Sequence, residues 1–174
     1  MQVKDAVAVH LDPFKVFGER VRLVEKGVPL AEVVSLFRAD RGATITQWKG
    51  PEYARLTRVA LHAIAAKDAF VYGVKNADNY HVVCGVLFFV SHHRITFLFS
   101  GNSVLGKTRQ AMTYLVDQVI REYAGTDYVL DFEGSDDLNL ARFYLGFGAQ
   151  EVKYPSYQHY KSKFVYLCTK LKSK

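Results

Sequence analysis

The chain has 174 residues, of which 49% are hydrophobic and 23% are charged, and its net charge at pH 7 is +6. That balance suits one globular domain with a sizeable core and excludes a disordered chain. The longest apolar run, Val82–Val90, is far shorter than the roughly 20 residues of a membrane helix. Asp5, His10 and Asp12 interrupt the stretch where a signal peptide needs apolar residues, so we expect a cytoplasmic protein.

The first predicted elements are one strand and two helices. Residues 1–18 lack clear periodicity and are read as a lead-in strand or a linker, so the predicted domain covers 19–174. Alternating apolar residues predict a strand over 19–26. Apolar residues at helical spacing then predict a helix that ends at Gly42, and Pro51 predicts the first turn of a second helix.

Three predicted strands follow, at 70–75, 81–91 and 94–100. The middle one is almost continuously apolar, as expected of a strand that is buried on both faces. His92 and His93 form the tight connection to the third strand. Cys84 and Cys168 lie in apolar, β-like runs and are read as buried reduced thiols rather than as a disulfide or metal ligands.

The C-terminal half alternates helices and strands. Its predicted elements are, in chain order, a loop at 101–106, a helix to about Tyr123, a strand at 126–133, a short helix at 138–146 and strands at 148–152 and 158–171. Ser135, Asp136 and Asp137 supply N-cap chemistry for the short helix. The whole order, βααβββαβαββ, is typical of an α/β (α+β) domain.

Two C-terminal motifs resemble a known family. ARFYLGFGAQEV (141–152) is similar to the last helix and Gly-Phe turn of the Gcn5-related N-acyltransferase superfamily, whose element order the chain follows over 19–171. LDFEGSDDLNLARFY (130–144) resembles the branch related to the peptidoglycan-bridge (Fem) enzymes. The resemblance implies a central mixed sheet flanked by helices, and transfer of an acyl group to a small-molecule or peptide amine. Such domains often occur in tandem, so for one copy the partner domain is missing, is supplied by another chain or never existed. We hypothesise a homodimer, since two-fold pairing is the commonest closed arrangement.

The resemblance also implies a donor site. Its predicted residues run from the end of the predicted strand at 94–100 to the first turn of the following helix: Phe99, Ser100, Gly101, Gly106, Lys107, Thr108 and Arg109. Only Gly106 matches the superfamily's CoA-binding pattern, so acyl-CoA and the aminoacyl-tRNA of Fem-related enzymes both stay open as donors. Independently, Lys107 and Arg109 stand in a first helical turn, where cations are unfavourable unless an anion compensates. The alternative is an ordinary solvated connection.

The three candidate catalytic residues are Asp131, Glu133 and Tyr144. Asp131, Glu133 and Ser135 alternate at the end of a predicted strand, where one of the two carboxylates could take a proton from an attacking amine. The structural alternatives are capping of the next helix and pairing of Asp131 with a cation. Tyr144 is either a core tyrosine or, as the resemblance implies, the acid that protonates the leaving thiolate. No nucleophile motif or metal-ligand spacing is present, so we expect direct attack by the amine and no metal.

The leading hypothesis is therefore an acyl or aminoacyl transferase. A second hypothesis is a catalytically degenerate domain of the same fold that serves as an interaction module. The positive charge alone suggests a third, an RNA-binding module, although the sequence lacks an RNA-recognition signature with interleaved aromatic residues.

Overall fold

The computed structural model describes residues 2–10, 24–133 and 137–156. Its elements are, in chain order, β1 (Gln2–His10), β2 (Val24–Lys26), α1 (Leu30–Ala39), α2 (Arg41–Thr44), α3 (Gly50–Ala65), β3 (Ala69–Lys75), β4 (Val82–Ser91), β5 (Arg94–Asn102), α4 (Val104–Thr108), α5 (Ala111–Tyr123), β6 (Val129–Asp131), α6 (Leu138–Leu145) and β7 (Gln150–Ser156). No helix among the described residues is long and apolar enough to cross a membrane.

The described strands form one mixed sheet in the order β2-β3-β4-β5-β6-β1-β7. Neighbouring strands are antiparallel except β5 and β6, which are parallel. The expectation of a mixed sheet flanked by helices is confirmed. The segment read as a lead-in strand or a linker contains β1, which lies between β6 and β7. The predicted strand at 158–171, Cys168, Ser135 and Asp136 lie outside the described residues.

Helices cover both faces of the sheet because the central strands are apolar on both faces. Leu87 and Phe88 are adjacent on β4, so their side chains point to opposite faces. Leu87 packs with Val33 of α1, whereas Phe88 packs in the core that includes Leu115 of α5. All four of these side chains are fully buried, so the sheet separates two hydrophobic cores. Cys84, also on β4, is buried and free, as predicted, and burial raises the pKa of its thiol to about 12.

The N-terminal helices follow the prediction with one correction. Helix α3 begins at Gly50 with Pro51 in its first turn, as predicted. The prediction that Gly42 ends the first helix is wrong, because α1 ends at Ala39 and Gly42 lies in α2. A Cβ at Gly42 would meet the side chain of Tyr53, so glycine is needed there for close packing rather than for a cap.

A β-bulge in β5 changes which face its aromatic residues occupy. Leu87 is opposite Phe99 and Phe88 is opposite Phe97, so Leu98 is the extra residue on β5. Without the bulge Phe97 and Phe99 would share a face. With it, Phe97 joins the α5 core, Phe99 packs on the α1 side, and Leu98 is partly exposed.

Three predicted segments of the C-terminal half are corrected. The predicted loop at 101–106 is wrong, since β5 extends to Asn102 and α4 begins at Val104. The predicted strand at 126–133 shrinks to β6, Val129–Asp131. The predicted end of the next strand at 152 is also wrong, because β7 runs on to Ser156 and pairs with β1.

Candidate active site

A cleft of about 500 Å³ opens between β5 and α6. Strands β5 and β6 pair only from Arg94 to Thr96 on β5, after which β6 ends and β5 continues to Asn102. Beyond Thr96, no described strand pairs with that edge of β5. The cleft is lined by residues of β5, the α1–α2 corner, α4, α5 and α6. The early end of β6 therefore creates a site bordered by unpaired strand backbone, which can donate and accept hydrogen bonds.

Tyr144 of α6 lies at the apolar wall of this cleft. Its ring stacks on Phe132 with 4.3 Å between centroids and meets Phe97 edge-on at 6.0 Å. Only 4% of the residue is exposed, and burial raises the pKa of the phenol to about 12, against a smaller lowering by Arg41. The hydroxyl forms no hydrogen bond with the described residues. Tyr144 is thus a protonated donor at neutral pH whose hydrogen bond is available to a ligand.

Two ion pairs connect the α1–α2 corner to the other walls of the cleft. Asp40 accepts a hydrogen bond from Lys107 of α4 at 2.6 Å, and Arg41 contacts Asp137 at the start of α6 at 3.4 Å. Backbone N–H groups of α6 lower the pKa of Asp137, and Arg41 adds to that effect. All four side chains are about half exposed, so each pair contributes at most about 1 kcal/mol and can be exchanged for another partner.

The predicted anion-binding segment is more ordered than expected. Ser103 caps α4 by accepting the backbone N–H of Gly106 at 3.0 Å, which occupies a donor that an anion would need. Thr108 donates its hydroxyl to the carbonyl of Val104. Lys107 is held by Asp40, whereas Arg109 is exposed and has no ion-pair partner among the described residues.

The two candidate carboxylates lie outside the cleft and have separate environments. Asp131 is 7% exposed and accepts hydrogen bonds from Arg94 at 2.6 Å and from the backbone N–H of Glu133 at 2.8 Å. Asp131 and Glu133 would share one face only if the strand stayed regular, and β6 ends at Asp131. Glu133 follows the end of β6 with a φ of 61°, and its side chain is exposed. The alternative that Asp131 pairs with a cation is confirmed.

The structure brings together part of the predicted site. Ser100, Gly101, Lys107 and Tyr144 line the cleft, but the other predicted residues do not: Phe99, Gly106, Thr108, Arg109, Asp131 and Glu133. The bulge turns Phe99 towards α1, where its ring is 4.5 Å from that of Phe37. Gly106 is buried beside the carbonyl of Val83.

Sequence reasoning missed several cleft residues. Asp40, Arg41, Asn102 and Phe143 line the cleft. The side-chain oxygen of Asn102 is buried and has no hydrogen-bond partner among the described residues. The one available signal was the charged pair Asp40-Arg41 directly before Gly42, which the helical pattern explained as the end of a helix.

No family model and no curated protein matches this chain. A crystal structure of a functionally unknown conserved protein from Staphylococcus epidermidis is similar, with a TM-score of 0.55 and 13% sequence identity. The similarity covers 87% of this chain and 59% of that chain, so this chain spans less than two thirds of that protein's length. At this identity, the similarity establishes a shared α/β fold and nothing further.

Proposed function

We propose that this chain is an acyltransferase domain of the Gcn5-related N-acyltransferase fold, in its Fem-related branch. It transfers an acyl or aminoacyl group from a thioester or ester donor to an amine. The observation that carries the proposal is Tyr144, whose ring is buried among aromatic rings. Its hydroxyl lacks a hydrogen-bond partner among the described residues, and the residue borders a cleft opposite the unpaired edge of β5.

The edge of β5 is suited to hold an extended donor. Ser100 and Gly101 line the cleft beyond the last residue that pairs with β6. Unpaired strand backbone binds extended chains that carry amide groups, as in peptides that add a strand to a sheet. The pantetheine arm of acyl-CoA is such a chain, and an aminoacyl ester presents an amine and a carbonyl to the same edge.

The chemistry assigned to Tyr144 is donation to the leaving atom. When an amine attacks the acyl carbon, the bond to sulfur or oxygen breaks and the leaving atom gains negative charge. A thiol ionises near 8.5, so full transfer from a phenol with a pKa of about 12 to a thiolate is uphill by roughly 5 kcal/mol. When the acyl donor is a thioester, Tyr144 therefore donates a hydrogen bond to the leaving sulfur but keeps its proton. It keeps that proton until binding of the thioester lowers the pKa of Tyr144. With an ester, the more basic alkoxide takes the proton directly.

Lys107 and Arg41 are assigned to the anionic part of the donor. Both cations line the cleft, and both are held by exposed carboxylates that an incoming phosphate can replace. Arg109, which follows α4 two residues after Lys107, has no ion-pair partner among the described residues. The base that accepts the proton of the amine is open. Glu133 as that base stays a prediction, because its side chain is exposed and does not line the cleft.

A second candidate function is the degenerate, non-catalytic interaction domain. The observation that favours it is that groups of the predicted anion site already have partners within the chain. Ser103 accepts a backbone N–H of α4, and Asp40 pairs with Lys107. In that case the cleft keeps its shape but binds no donor.

The two candidates are separated by a transfer assay. The protein is incubated with radiolabelled acetyl-CoA, or with aminoacyl-tRNA, and a panel of small amines and peptides with free amino groups. We expect transfer from one donor class, with a strong loss in Tyr144→Phe. Absence of transfer from both donors, together with no thermal shift by either, would favour the non-catalytic domain. A donor at 100 times its dissociation constant stabilises a protein by about 2.7 kcal/mol, so binding is measurable even without a known acceptor.

A further inference from the structure

A second concavity, of about 600 Å³, lies between α1 and α3. We call it the helix groove, and its main lining residues are Val34 and Arg38 of α1 with Tyr53, Arg58 and Leu61 of α3. Val34 and Tyr53 are buried in the core beneath it, whereas Leu61 is 54% exposed. The helix groove therefore has an apolar floor and an apolar side chain that is accessible on its wall.

The rim of the helix groove carries two arginines that no described carboxylate neutralises. Arg38 and Arg58 are both exposed, and neither forms an ion pair with a described residue. None of the described residues that line the groove is acidic. The cations at the mouth of the cleft, in contrast, are each paired with a carboxylate. An apolar groove with two unpaired arginines is complementary to a ligand that combines apolar and acidic groups.

The position of Arg38 also distinguishes a peptide from a nucleic acid. Its guanidinium lies 4.8 Å from the centroid of the Tyr53 ring, which holds the charge at the edge of the groove. Tyr53, the aromatic residue in the described lining of the groove, is also only 6% exposed, so its ring offers little area for a nucleobase to stack on. Phosphate contacts alone would leave the apolar floor unused.

We propose that the helix groove binds an acidic, amphipathic segment of a partner protein. An apolar side chain of that segment lies between Val34 and Leu61, and its carboxylates pair with Arg38 and Arg58. This surface is separate from the cleft and does not depend on the transferase reaction. Binding of an acidic segment here would bring a partner next to α1, whose C-terminal end leads into Asp40 and Arg41 of the cleft.

The test starts from a library of short random peptides that is panned on the wild-type protein. We expect enrichment of sequences that combine Asp or Glu with Leu, Ile or Phe. The most enriched peptide, synthesised with a fluorescent label, should perturb amide signals of α1 and α3 in nuclear magnetic resonance spectra. Arg38→Glu combined with Arg58→Glu should weaken it by about tenfold or more, because attraction becomes repulsion.

Two comparisons keep the test specific. Arg142→Glu changes an exposed arginine on α6, outside the helix groove, and should leave the peptide affinity unchanged. If the double variant unfolds, Arg58→Glu with Leu61→Ser tests the same surface without disturbing the contact between Arg38 and Tyr53. Failure to enrich any peptide, enrichment without acidic residues, or equal affinity for wild type and variants would overturn the proposal. So would binding of single-stranded oligouridine that the groove variants abolish while no peptide is enriched.

Discussion

The cleft and the helix groove treat their positive charges in opposite ways. In the cleft, Lys107 and Arg41 are each held by a carboxylate of the same chain, and an anionic ligand has to replace it. In the helix groove, Arg38 and Arg58 form no ion pair within the part of the chain that the structure describes. Positive charge alone therefore does not identify an anion-binding site, because a cation of the site can already be paired with a carboxylate of the same chain. Internal pairing lowers the affinity of Arg41 and Lys107 for any anion, so we expect the cleft to select a ligand that also contacts Tyr144 and β5, and the helix groove to bind acidic groups without such competition.

The largest effect is expected for Tyr144→Phe. The ring packing on Phe132 survives, so the free energy of unfolding at neutral pH should change by less than about 1 kcal/mol. Loss of the hydroxyl should reduce turnover by roughly 100-fold, the usual contribution of a positioned acid. Turnover and melting temperature are measured on the same sample. Full activity in the variant would remove Tyr144 from the mechanism, and Arg58→Glu in the helix groove serves as the matched control with unchanged turnover.

Gly101→Ala should disturb the wall that the cleft shares with α1. A Cβ at this position would lie 2.8 Å from the backbone nitrogen of Phe37 and from Cβ of Leu36, so α1 has to move away from β5. Overpacking of this kind costs about 1–3 kcal/mol of unfolding free energy. Gly50→Ala is the control, since nothing lies within 4 Å of a Cβ there. Equal denaturation midpoints for the two variants would contradict the close packing of α1 on β5.

Alkaline pH should destabilise the wild type more than Tyr144→Phe. Burial raises the pKa of Tyr144 from its usual value of 10 to about 12, so above pH 10 the unfolded chain loses this proton while the folded chain keeps it. Stability is therefore lost as pH rises from 10 through 12, by roughly 1.4 kcal/mol at pH 11. Urea denaturation at pH 8 and pH 11 measures the difference. Parallel losses in the two proteins would show that the phenol is not buried.

The smallest effect, and the most direct probe of internal pairing, is expected for Asp40→Asn. The change frees Lys107 and should tighten binding of inorganic pyrophosphate or of the donor by about fivefold, the value of one exposed ion pair. Lys107→Glu should instead abolish binding of pyrophosphate or of the donor, because it replaces the cation by an anion. The affinity of the helix groove for an acidic peptide should be the same in both variants. Weaker anion binding in Asp40→Asn would mean that Asp40 does not compete with the ligand.

Features that depend on neighbouring residues were predictable from the sequence. The start of α3 beside Pro51 and the buried strand β4 both follow from local patterns. The pairing of Asp40 with Lys107 was not, because it joins side chains far apart in sequence. Nor was the exposure of Glu133, since the alternation of apolar residues does not show where a strand ends and φ becomes positive.

The site shows the same division. Tyr144 was singled out by its place in a motif that resembles the acyltransferase superfamily, and Ser100 and Gly101 by their place between the end of a predicted strand and the following loop. The structure places all three on the cleft. Phe99 was placed in the donor site by the resemblance, whereas the bulge at Leu98 turns it to the α1 side of the sheet. A single extra residue in a strand leaves no mark in the apolar pattern of an all-apolar segment.

The central claim is that the cleft, and not the helix groove, binds the acyl donor. The direct measurement is a titration of isotope-labelled protein with acetyl-CoA, and separately with aminoacyl-tRNA, followed through backbone amide signals. We expect saturable shifts of the amide signals of Ser100, Gly101 and Tyr144 with one of the two donors, and unchanged signals at Arg58 and Leu61. Absence of saturable shifts with both donors, or shifts confined to α1 and α3, would contradict it.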